Sequence, residues 1–426
     1  MRGRGSFRSR IRPAAFFLAP LLFSFAAITQ TPRSHQASPG ARVKLGNESF
    51  VAQFPRELQD KRLGLVINHT AVLPDGTPLY RALLDKGVDV RAIFSPEHGF
   101  TGRIEGGEDV GDTGLEGIKI FSLYGKIRRP TPEQMAHIDA LVYDIQDVGT
   151  RFYTYITTLK YVMEAAARAG LPVYVLDRPN PTGGTLVEGP LLDPKFESFI
   201  GALPIPIRYG LTCGELAAMM KGQGWVPGNV DLHLILMEGW QRHFCWQDTG
   251  LPWIATSPNI PTSDAAVAYP GTGLLGGVIL NQGLGTEEPF LLWGAPWLDP
   301  EDVAGRLPPA VLEEVELESL VYTPRSIPGK SVDPPYKDRV CHGMRIHLQE
   351  RSRFPSVRFS LELIRVLKEQ YPEKIYQESN SLTLMFGTED LARFLRGELA
   401  FSALMEGVNQ DEELFLRQRR PYLLYK

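Results

Sequence analysis

The chain has 426 residues, of which 43% are hydrophobic and 22% charged, so the composition indicates two or three folded domains and excludes a disordered chain. Its formal net charge is −4, and a mildly acidic protein is not built to bind nucleic acid nonspecifically. The three cysteines, Cys213, Cys245 and Cys341, are widely spaced without a CxxC pair, which argues against a metal site. We expect all three to be buried as small apolar residues.

The N-terminus differs in composition from the rest of the chain. Five arginines precede an apolar run over residues 14–28, and this pattern predicts a signal peptide within residues 1–30. The run is short for a membrane span of about 20 residues, although an uncleaved anchor with the protein facing outward stays open. We therefore expect a secreted or periplasmic protein. Residues 31–45, rich in Ser, Pro, Gln and Arg, are predicted to be a flexible leader.

Short apolar runs alternate with amphipathic segments over residues 46–240. The runs predict strands at 63–67, 90–94, 119–123, 140–145, 173–176 and 232–237. The intervening segments predict four helices. The first covers 79–86, the second begins at the capping box Thr131–Gln134, the third ends at Ala169, and the fourth runs from the capping box Thr212–Glu215 to Gly222. This alternation favours a Rossmann-like, doubly wound, mainly parallel α/β sheet. The sequence has no GxGxxG, P-loop or GxSxG motif, so we expect no cofactor.

The second half of the chain has a different pattern. Residues 252–296 are dense in Gly and Pro and are predicted to cross between domains and to supply loops of a site. Beyond them we predict a strand at 345–349 and helices at 360–370, 389–396 and 411–417. We therefore divide the chain into a Rossmann-like domain, 46–270, and a smaller α+β domain, 271–426.

Polar loops follow three of the predicted strands, at residues 96–99, 146–155 and 177–188. If the strands are parallel neighbours, these loops open on one edge of the sheet. They bring together many ionisable and hydrogen-bonding side chains, namely Glu97, His98, Asp144, Asp147, Arg151, Tyr153, Tyr155, Asp177, Arg178, Asn180 and Glu188. Such groups next to buried strands are costly unless they pair with one another or carry out chemistry.

Glu97 is the main catalytic candidate. Flanking by Phe94 and Phe100 would partly desolvate its carboxyl group, and desolvation favours the neutral form that donates a proton. The alternative is that Glu97 accepts backbone N–H bonds and caps its loop. His98 either tunes Glu97 and contacts substrate or makes a structural hydrogen bond, and a metal is not expected because no second His lies at ligand spacing.

The other candidates also have a structural alternative. Asp144, inside a strand run, is expected in a buried salt bridge with Arg151 or Arg178, which leaves Asp147 as the better site candidate. The arginines are either anion clamps or partners of neighbouring carboxylates, and the set is Arg151, Arg178 and Arg208. Several aromatic residues either form a sugar-stacking platform or belong to the core, namely Tyr153, Tyr155, Trp240, Trp246 and Trp253. Asn259 and Thr262 either contact ligand or shape a rigid turn.

Several long segments resemble the exo-β-N-acetylmuramidase (NamZ-type) family of bacteria. They are IFSPEHGFTG, VYDIQDVGTRFYTYITTL, VLDRPNPTGG, VEGPLLDP, GLPWIATSPNIPT, YPGTGLL and the terminal RPYLLYK, in order from about residue 46 to the end. The resemblance implies a Rossmann-like domain whose cleft is completed by a smaller C-terminal domain. It also implies release of N-acetylmuramic acid from the non-reducing ends of peptidoglycan fragments, so the expected partner is a muramic-acid-containing glycan or muropeptide.

The same resemblance implies roles for individual positions. Glu97 corresponds to the family's catalytic glutamate, with His98 beside it, and Asp147, Asp177 or Glu188 are candidates for the second catalytic group. The substrate-binding positions carried over are Asp144, Arg151, Tyr153, Tyr155, Arg178, Asn180, Asn259 and Thr262. Tyr209, which stands where the family has a histidine, is also expected to bind substrate.

The chain also departs from the family over residues 269–286. Gly276 and Gln282 replace glutamates, and Leu284 replaces an arginine. If these positions form a wall of the cleft, we expect an altered acidic-sugar substrate, or a glycan-binding protein with weakened or absent catalysis.

Overall fold

A computed structural model of the chain describes residues 42–106, 108, 113–226, 229–376 and 380–426. The predicted signal peptide and most of the predicted leader lie outside the described residues. The last leader residues are attached to the fold, because the Val43 N–H donates to the Thr249 carbonyl at 2.9 Å and Lys44 pairs with Glu238 through both backbones. Among the described helices, none has the length and apolar composition that crossing a membrane requires.

The first domain is built on one seven-stranded sheet. Its strands are β1 (Arg62–Ile67), β2 (Asp89–Ser95), β3 (Thr113–Leu115), β4 (Ile118–Ser122), β5 (Ala140–Asp144), β6 (Val173–Leu176) and β7 (Leu232–Ile235). The strand order is β3-β4-β2-β1-β5-β6-β7, and every pair is parallel except β3 with β4. The predicted mainly parallel, doubly wound sheet is confirmed. Sequence patterning missed β3 because its three residues contain a glycine and no apolar run.

Helices cover both faces of this sheet. They are α1 (Gly46–Ala52), α2 (Leu79–Asp85), α3 (Pro132–Met135), α4 (Tyr155–Ala169) and α5 (Cys213–Gly222). Both predicted capping boxes are confirmed, since Thr131 accepts from the Gln134 N–H and Thr212 accepts from the Glu215 N–H. The short helix α1 was not predicted.

The order of the strands creates one topological switch point, between β1 and β5, where successive strands change from one side of β1 to the other. The chain adds β2 and β4 on one side of β1, and then β5, β6 and β7 on the other side. In open α/β sheets ligands bind outside the carboxyl ends of the strands near such a point. The loops that follow β1, β2, β5 and β6 all leave the sheet at this edge.

The second domain combines a small antiparallel sheet with helices. Its strands are β8 (Leu292–Ala295), β9 (Val315–Tyr322) and β10 (Cys341–Leu348), in the order β8-β10-β9. Its helices are α6 (Ser263–Thr272), α7 (Pro300–Ala304), α8 (Ser356–Gln370), α9 (Asn380–Phe386), α10 (Asp390–Arg396) and α11 (Phe401–Arg419). The predicted strand and three helices all appear with shifted ends, whereas β8, β9, α6, α7 and α9 were not predicted.

The end of the chain returns to the first domain. The Leu424 N–H donates to the Glu215 carboxylate at 2.8 Å, and the Tyr425 hydroxyl donates to Asp177 at 2.6 Å. The ring of Tyr425 also packs edge-on against Trp240. All three cysteines are free and buried, as the sequence predicts.

Candidate active site

Glu97 lies in a cleft to which both domains contribute. The cleft has an empty volume of about 740 Å³. From the first domain it is lined by Glu97, His98 and Thr154, and from the second by Tyr269 of α6, Phe290 before β8 and Met385 of α9. Glu97 is the only carboxylate among the described residues that line it. The arrangement therefore presents one acid to a cavity of mixed polar, aliphatic and aromatic lining.

A threonine at the start of α4 holds the carboxyl group of Glu97. Thr154 is the N-cap residue of α4, but its hydroxyl makes no cap bond and instead donates to Oε2 of Glu97 at 2.7 Å. A Cβ added to Gly106 would lie 3.4 Å from Cε1 of His98 and 3.7 Å from Oε1 of Glu97, which is ordinary van der Waals contact. Gly106 therefore borders both side chains without being in tight contact with either.

The aromatic residues around Glu97 differ from the predicted pair. Phe94 packs against Phe121 in the core, and Phe100 packs against Tyr80, so neither lines the cleft. Four other aromatic residues line it, namely Phe152, Tyr153, Tyr269 and Phe290. They supply apolar surroundings for the carboxyl group.

His98 closes the loop that carries Glu97. Its backbone is left-handed, with a φ of 69°, and its Nδ1 lies 2.8 Å from the Ile104 carbonyl. Because a carbonyl only accepts, Nδ1 carries the hydrogen. His98 thus makes the predicted structural hydrogen bond and also lines the cleft, whereas its contact with substrate stays a prediction.

The same loop rests on a histidine after β1 that the sequence analysis did not select. A Cβ added to Gly102, whose φ is +67°, would lie 1.9 Å from the ring of His69. The Nε2 of His69 donates to the Ala255 carbonyl at 2.6 Å, and burial lowers the pKa of the imidazole. His69 therefore joins the Glu97 loop to the segment 252–260, part of which lines the cleft.

The two predicted tyrosines have different positions. Tyr153 lines the cleft and donates to Oγ1 of Thr256 at 3.1 Å. Tyr155 is fully buried behind it, where it donates to the Thr256 carbonyl and accepts from Asn68. Among the tryptophans, Trp246 and Trp253 pack edge-on at 5.0 Å, away from the cleft.

Asn259 and Thr262 also differ in position, since only Asn259 lines the cleft. Asn259 lines the cleft and donates to the Lys330 carbonyl at 2.8 Å, which ties the two domains together. Thr262 caps α6 by accepting from the Ala265 N–H at 3.1 Å.

Asp144 and Arg178 form a buried ion pair, which was one of the two expected alternatives. Nη2 of Arg178 donates to Asp144 at 3.0 Å, and Nε donates to the other carboxylate oxygen. Asn47 also donates to Asp144. Neither member of the pair lines the cleft of Glu97.

Asp147 and Asp177 are buried away from the cleft. Asp147 accepts from the Gly149 N–H at 2.7 Å and from the hydroxyl of Tyr209, and burial raises its pKa to about 6. Asp177 accepts from Thr212 at 2.7 Å and from Tyr425, and burial likewise raises its pKa to about 6. These carboxylates anchor loops and the end of the chain.

Asn180 has a similar local role. It donates to the Leu211 carbonyl at 2.9 Å and accepts from the N–H and hydroxyl of Thr182. This arrangement is an Asx turn that fixes the loop after β6.

Glu188 and Arg208 connect the two domains. Glu188 accepts from Arg208 at 3.1 Å, and its other oxygen accepts from the Val357 and Arg358 N–H groups in the first turn of α8. It therefore satisfies donors that a helix start leaves without intrahelical partners.

Arg151 makes a comparable connection without a carboxylate. It is fully buried and donates to four carbonyl groups, among them those of Pro190 at 2.7 Å and Phe386 at the end of α9. Burial lowers its pKa to about 9. None of the three candidate arginines lines the cleft.

The positions that depart from the family pattern also lie outside the cleft lining. Gly276 and Gln282 adjoin each other, since a Cβ added to Gly276 would lie 2.7 Å from Nε2 of Gln282. Leu284 packs against the core of the first domain. The expectation that these positions form a wall of the Glu97 cleft is therefore not met.

Models of one family cover both halves of the chain. The N-terminal model of exo-β-N-acetylmuramidase NamZ matches residues 63–264, and the C-terminal model matches residues 267–425. The peptidoglycan β-N-acetylmuramidase NamZ of Bacillus subtilis is 34% identical over 420 residues, which cover 96% of this chain and 99% of that protein.

Two solved structures share the architecture of both domains. Both are DUF1343 family proteins from Bacteroides fragilis, each 32% identical to this chain. One covers 91% of this chain and 100% of its own, with a TM-score of 0.83, and the other covers 90% and 99%, with a TM-score of 0.73. From the two family models and the relative that spans nearly the whole chain, we conclude that this protein belongs to the exo-β-N-acetylmuramidase NamZ family and is a glycoside hydrolase.

Proposed function

We propose that this chain is a secreted exo-β-N-acetylmuramidase that removes N-acetylmuramic acid from the non-reducing ends of peptidoglycan fragments, with Glu97 as general acid. The relative from Bacillus subtilis is named a peptidoglycan β-N-acetylmuramidase, and this similarity supports a peptidoglycan substrate. The observation that carries the catalytic part is the Glu97 carboxyl group, held by Thr154 in a cleft that both domains line.

Cleavage of a glycosidic bond needs an acid that protonates the leaving oxygen. Glu97 supplies that proton, and the hydroxyl of Thr154 fixes the direction in which the carboxyl group points. Tyr153, Tyr269 and the other aromatic residues that line the cleft supply side chains against which a sugar ring can pack.

The lactyl carboxylate of the sugar requires donors from the cleft. Arg151, Arg178 and Arg208 are engaged inside the protein and do not line the cleft, which argues against an arginine clamp from this set. Ser257 and Asn259 do line it, and we assign the lactyl group to hydroxyl and amide donors of this kind.

The second catalytic group is not assigned to Asp147, Asp177 or Glu188. Each lies outside the cleft and already accepts hydrogen bonds from the protein. Their placement supports structural roles for all three.

Turnover of a disaccharide of N-acetylmuramic acid and N-acetylglucosamine tests the proposal. We expect the wild type to release N-acetylmuramic acid, and Glu97→Gln to lose at least about a hundredfold in kcat because general acid catalysis contributes about 10²–10⁴-fold. Glu238→Gln, on the exposed surface, is the matched control. Near-normal turnover by Glu97→Gln would reject the assignment.

The same assay separates the rival functions. Binding of the disaccharide without turnover by the wild type would favour a glycan-binding protein, and release of a different acidic sugar would favour another hydrolase specificity. Gly276, Gln282 and Leu284 lie outside the cleft lining, which argues against a direct effect of these positions on a bound sugar.

Secretion rests on the basic and apolar pattern of residues 1–30. Expression of the full chain with a C-terminal tag, followed by cell fractionation and N-terminal sequencing, tests it. We expect a shortened protein outside the cytoplasmic membrane. A full-length protein that stays in the membrane would support the anchored alternative, and one in the cytoplasm would reject export.

A further inference from the structure

Arg151 stands at one end of the chain segment that holds Glu97. The three residues that follow it, 152–154, all line the cleft, and the hydroxyl of Thr154 donates to the Glu97 carboxylate at 2.7 Å. The side chain of Arg151 is itself fully buried and does not line the cleft. Any effect of Arg151 on a bound sugar must therefore pass through the residues that it contacts.

The guanidinium group divides its donors between the two domains. Nη1 donates to the carbonyls of Pro190 at 2.7 Å and Ile205 at 2.6 Å, both in loops of the first domain. Nη2 donates to the carbonyls of Met385 at 3.1 Å and Phe386 at 2.5 Å, at the end of α9. The last carbonyls of a helix have no intrahelical partner, and a cation beside them is favourable. Arg151 thus fastens the end of α9 to the first domain.

The turn after α9 packs closely around the same guanidinium. Gly387 has a φ of +88°, and a Cβ added there would lie 2.3 Å from Nη2 of Arg151. The Gly387 carbonyl also accepts from the Asp193 N–H at 2.9 Å, which ties this turn to the first domain a second time. These contacts fix the end of α9 relative to the loops of the first domain.

Met385 extends this fixed position into the cleft. Its carbonyl accepts from Arg151, and the residue lines the cleft together with Glu97. Met385 is half-buried, so part of its surface is open to a ligand. A methionine side chain is unbranched and flexible, and its place therefore depends on the backbone that carries it. The anchored end of α9 decides how closely this side chain approaches a bound sugar.

From these contacts we infer that Arg151 is a positioning residue for substrate, which acts through α9 by holding Met385 against the sugar in the Glu97 cleft. The inference rests on the proposed function, because it concerns the same cleft. A second route runs from Arg151 along the backbone to Thr154 and Glu97. The two routes differ in kinetics, since losing the contact of Met385 with a bound sugar raises KM at constant kcat, whereas displacing Glu97 lowers kcat.

Release of N-acetylmuramic acid from the disaccharide by Arg151→Lys tests the inference. Lysine keeps the positive charge but lacks the planar fork of donors that serves the loop carbonyls and α9 together. We expect KM to rise at least about fivefold, a fraction of the full worth of a buried methionine side chain, while kcat stays within about twofold. A fall in kcat at constant KM would reject the route through α9.

Arg208→Lys is the matched control. Arg208 is also fully buried and donates to a carbonyl of the second domain, that of Phe354 at 2.9 Å. Neither Phe354 nor Glu188, its other partner, lines the cleft. Both lysine variants should lower Tm, whereas only Arg151→Lys should raise KM. An equal rise of KM in the two variants would trace the effect to general loosening between the domains and would refute the inference.

Met385→Ala tests the last step without disturbing a buried charge. We expect KM to rise at least about fivefold. The double variant with Arg151→Lys should show no higher KM than the larger single effect, because both changes remove one contact and are not additive. An unchanged KM in Met385→Ala would overturn the inference even if Arg151→Lys does not fold, and single effects that multiply in the double variant would do the same.

The wild type separates this inference from the proposed function. If it releases no N-acetylmuramic acid, the proposed function fails. The Kd of the disaccharide, measured by calorimetry on the same variants, then takes the place of KM and decides the role of Arg151.

Discussion

Replacement of Glu188 by glutamine separates a structural role from a catalytic one. Glu188 is buried, pairs with the fully buried Arg208, and accepts two N–H groups of α8. The glutamine keeps the shape of the side chain but removes its charge. Its amide also places a donor where the carboxylate has only acceptors, so one existing bond is lost.

The expected loss of stability follows from the charge left on Arg208. Breaking a buried pair by removing one partner costs about 3–5 kcal/mol. Arg208 keeps its bonds to the Phe354 and Thr182 carbonyls, which favours the lower end, about 3 kcal/mol. At about 2.1 cal/mol/K per residue, the unfolding entropy of about 400 folded residues is about 0.8 kcal/mol/K, so Tm should fall by roughly 4 °C.

Thermal unfolding by circular dichroism measures this change, and kinetics well below Tm measure activity. We expect Glu188→Gln to lower Tm while the folded enzyme keeps kcat within a few-fold. The control is Glu238→Gln, whose exposed pair with Lys44 should be worth no more than about 1 kcal/mol. An unchanged Tm together with a large loss of kcat would refute the structural role and return Glu188 to the catalytic candidates.

Two other substitutions test the site and its surroundings. Gly102→Ala should destabilise the loop of Glu97 and lower kcat/KM, because the new Cβ would overlap the ring of His69. The control is Gly76→Ala, which has open space and should show only the strain of its positive φ, about 1–2 kcal/mol. If the two variants changed Tm and kcat/KM by the same amounts, this reasoning would be contradicted. Burial raises the pKa of Asp177 to about 6, so the folded chain holds that proton more tightly than the unfolded chain, and this contribution to stability is present at acid pH and is lost as pH rises from about 4 to 6. Urea unfolding across this pH range measures the free energy of unfolding, which should vary by about 2–3 kcal/mol less in Asp177→Asn than in the wild type. If the free energies of the two proteins changed in parallel with pH, Asp177 would not be the source of the pH dependence.

Local patterns predicted the first domain well because its strands are buried on both faces. Runs such as residues 63–67 and 173–176 are continuously apolar, which is the pattern of a parallel strand covered by helices. The capping boxes at Thr131 and Thr212 depend only on residues three apart, so they are visible without the fold.

The second domain was less predictable because its elements depend on contacts between distant segments. Helix α6 contains Pro270 and Gly271, which locally favour a loop. A Cβ at Gly271 would lie 1.7 Å from the Ser356 carbonyl oxygen, so the glycine permits α6 to approach α8 closely. Only the folded chain shows that this glycine serves helix packing.

The sequence predicted the residues nearest Glu97 better than it predicted the rest of the cleft lining. Sequence reasoning selected four residues that line the cleft, namely Glu97, His98, Tyr153 and Asn259. It did not select Thr154, Ser257 or Tyr269, although all three lie within quoted motifs. Whether the side chain of Thr154 caps α4 or points at Glu97 depends on the placement of β2 beside it, which spacing along the chain does not encode.

The predicted site residues that do not line the cleft of Glu97 share a physical reason for their position. Asp144, Asp177 and Glu188 stand at the ends of buried strands or in buried loops, where an unpaired charge would be costly. Each is instead satisfied by donors, and those of Asp177 and Glu188 come partly from the second domain or the chain terminus. A dense set of charges at a sheet edge therefore marks the joint between two domains as readily as it marks catalysis. The cleft needs that joint, because Tyr269, Phe290 and Met385 reach Glu97 only when the second domain is held in place.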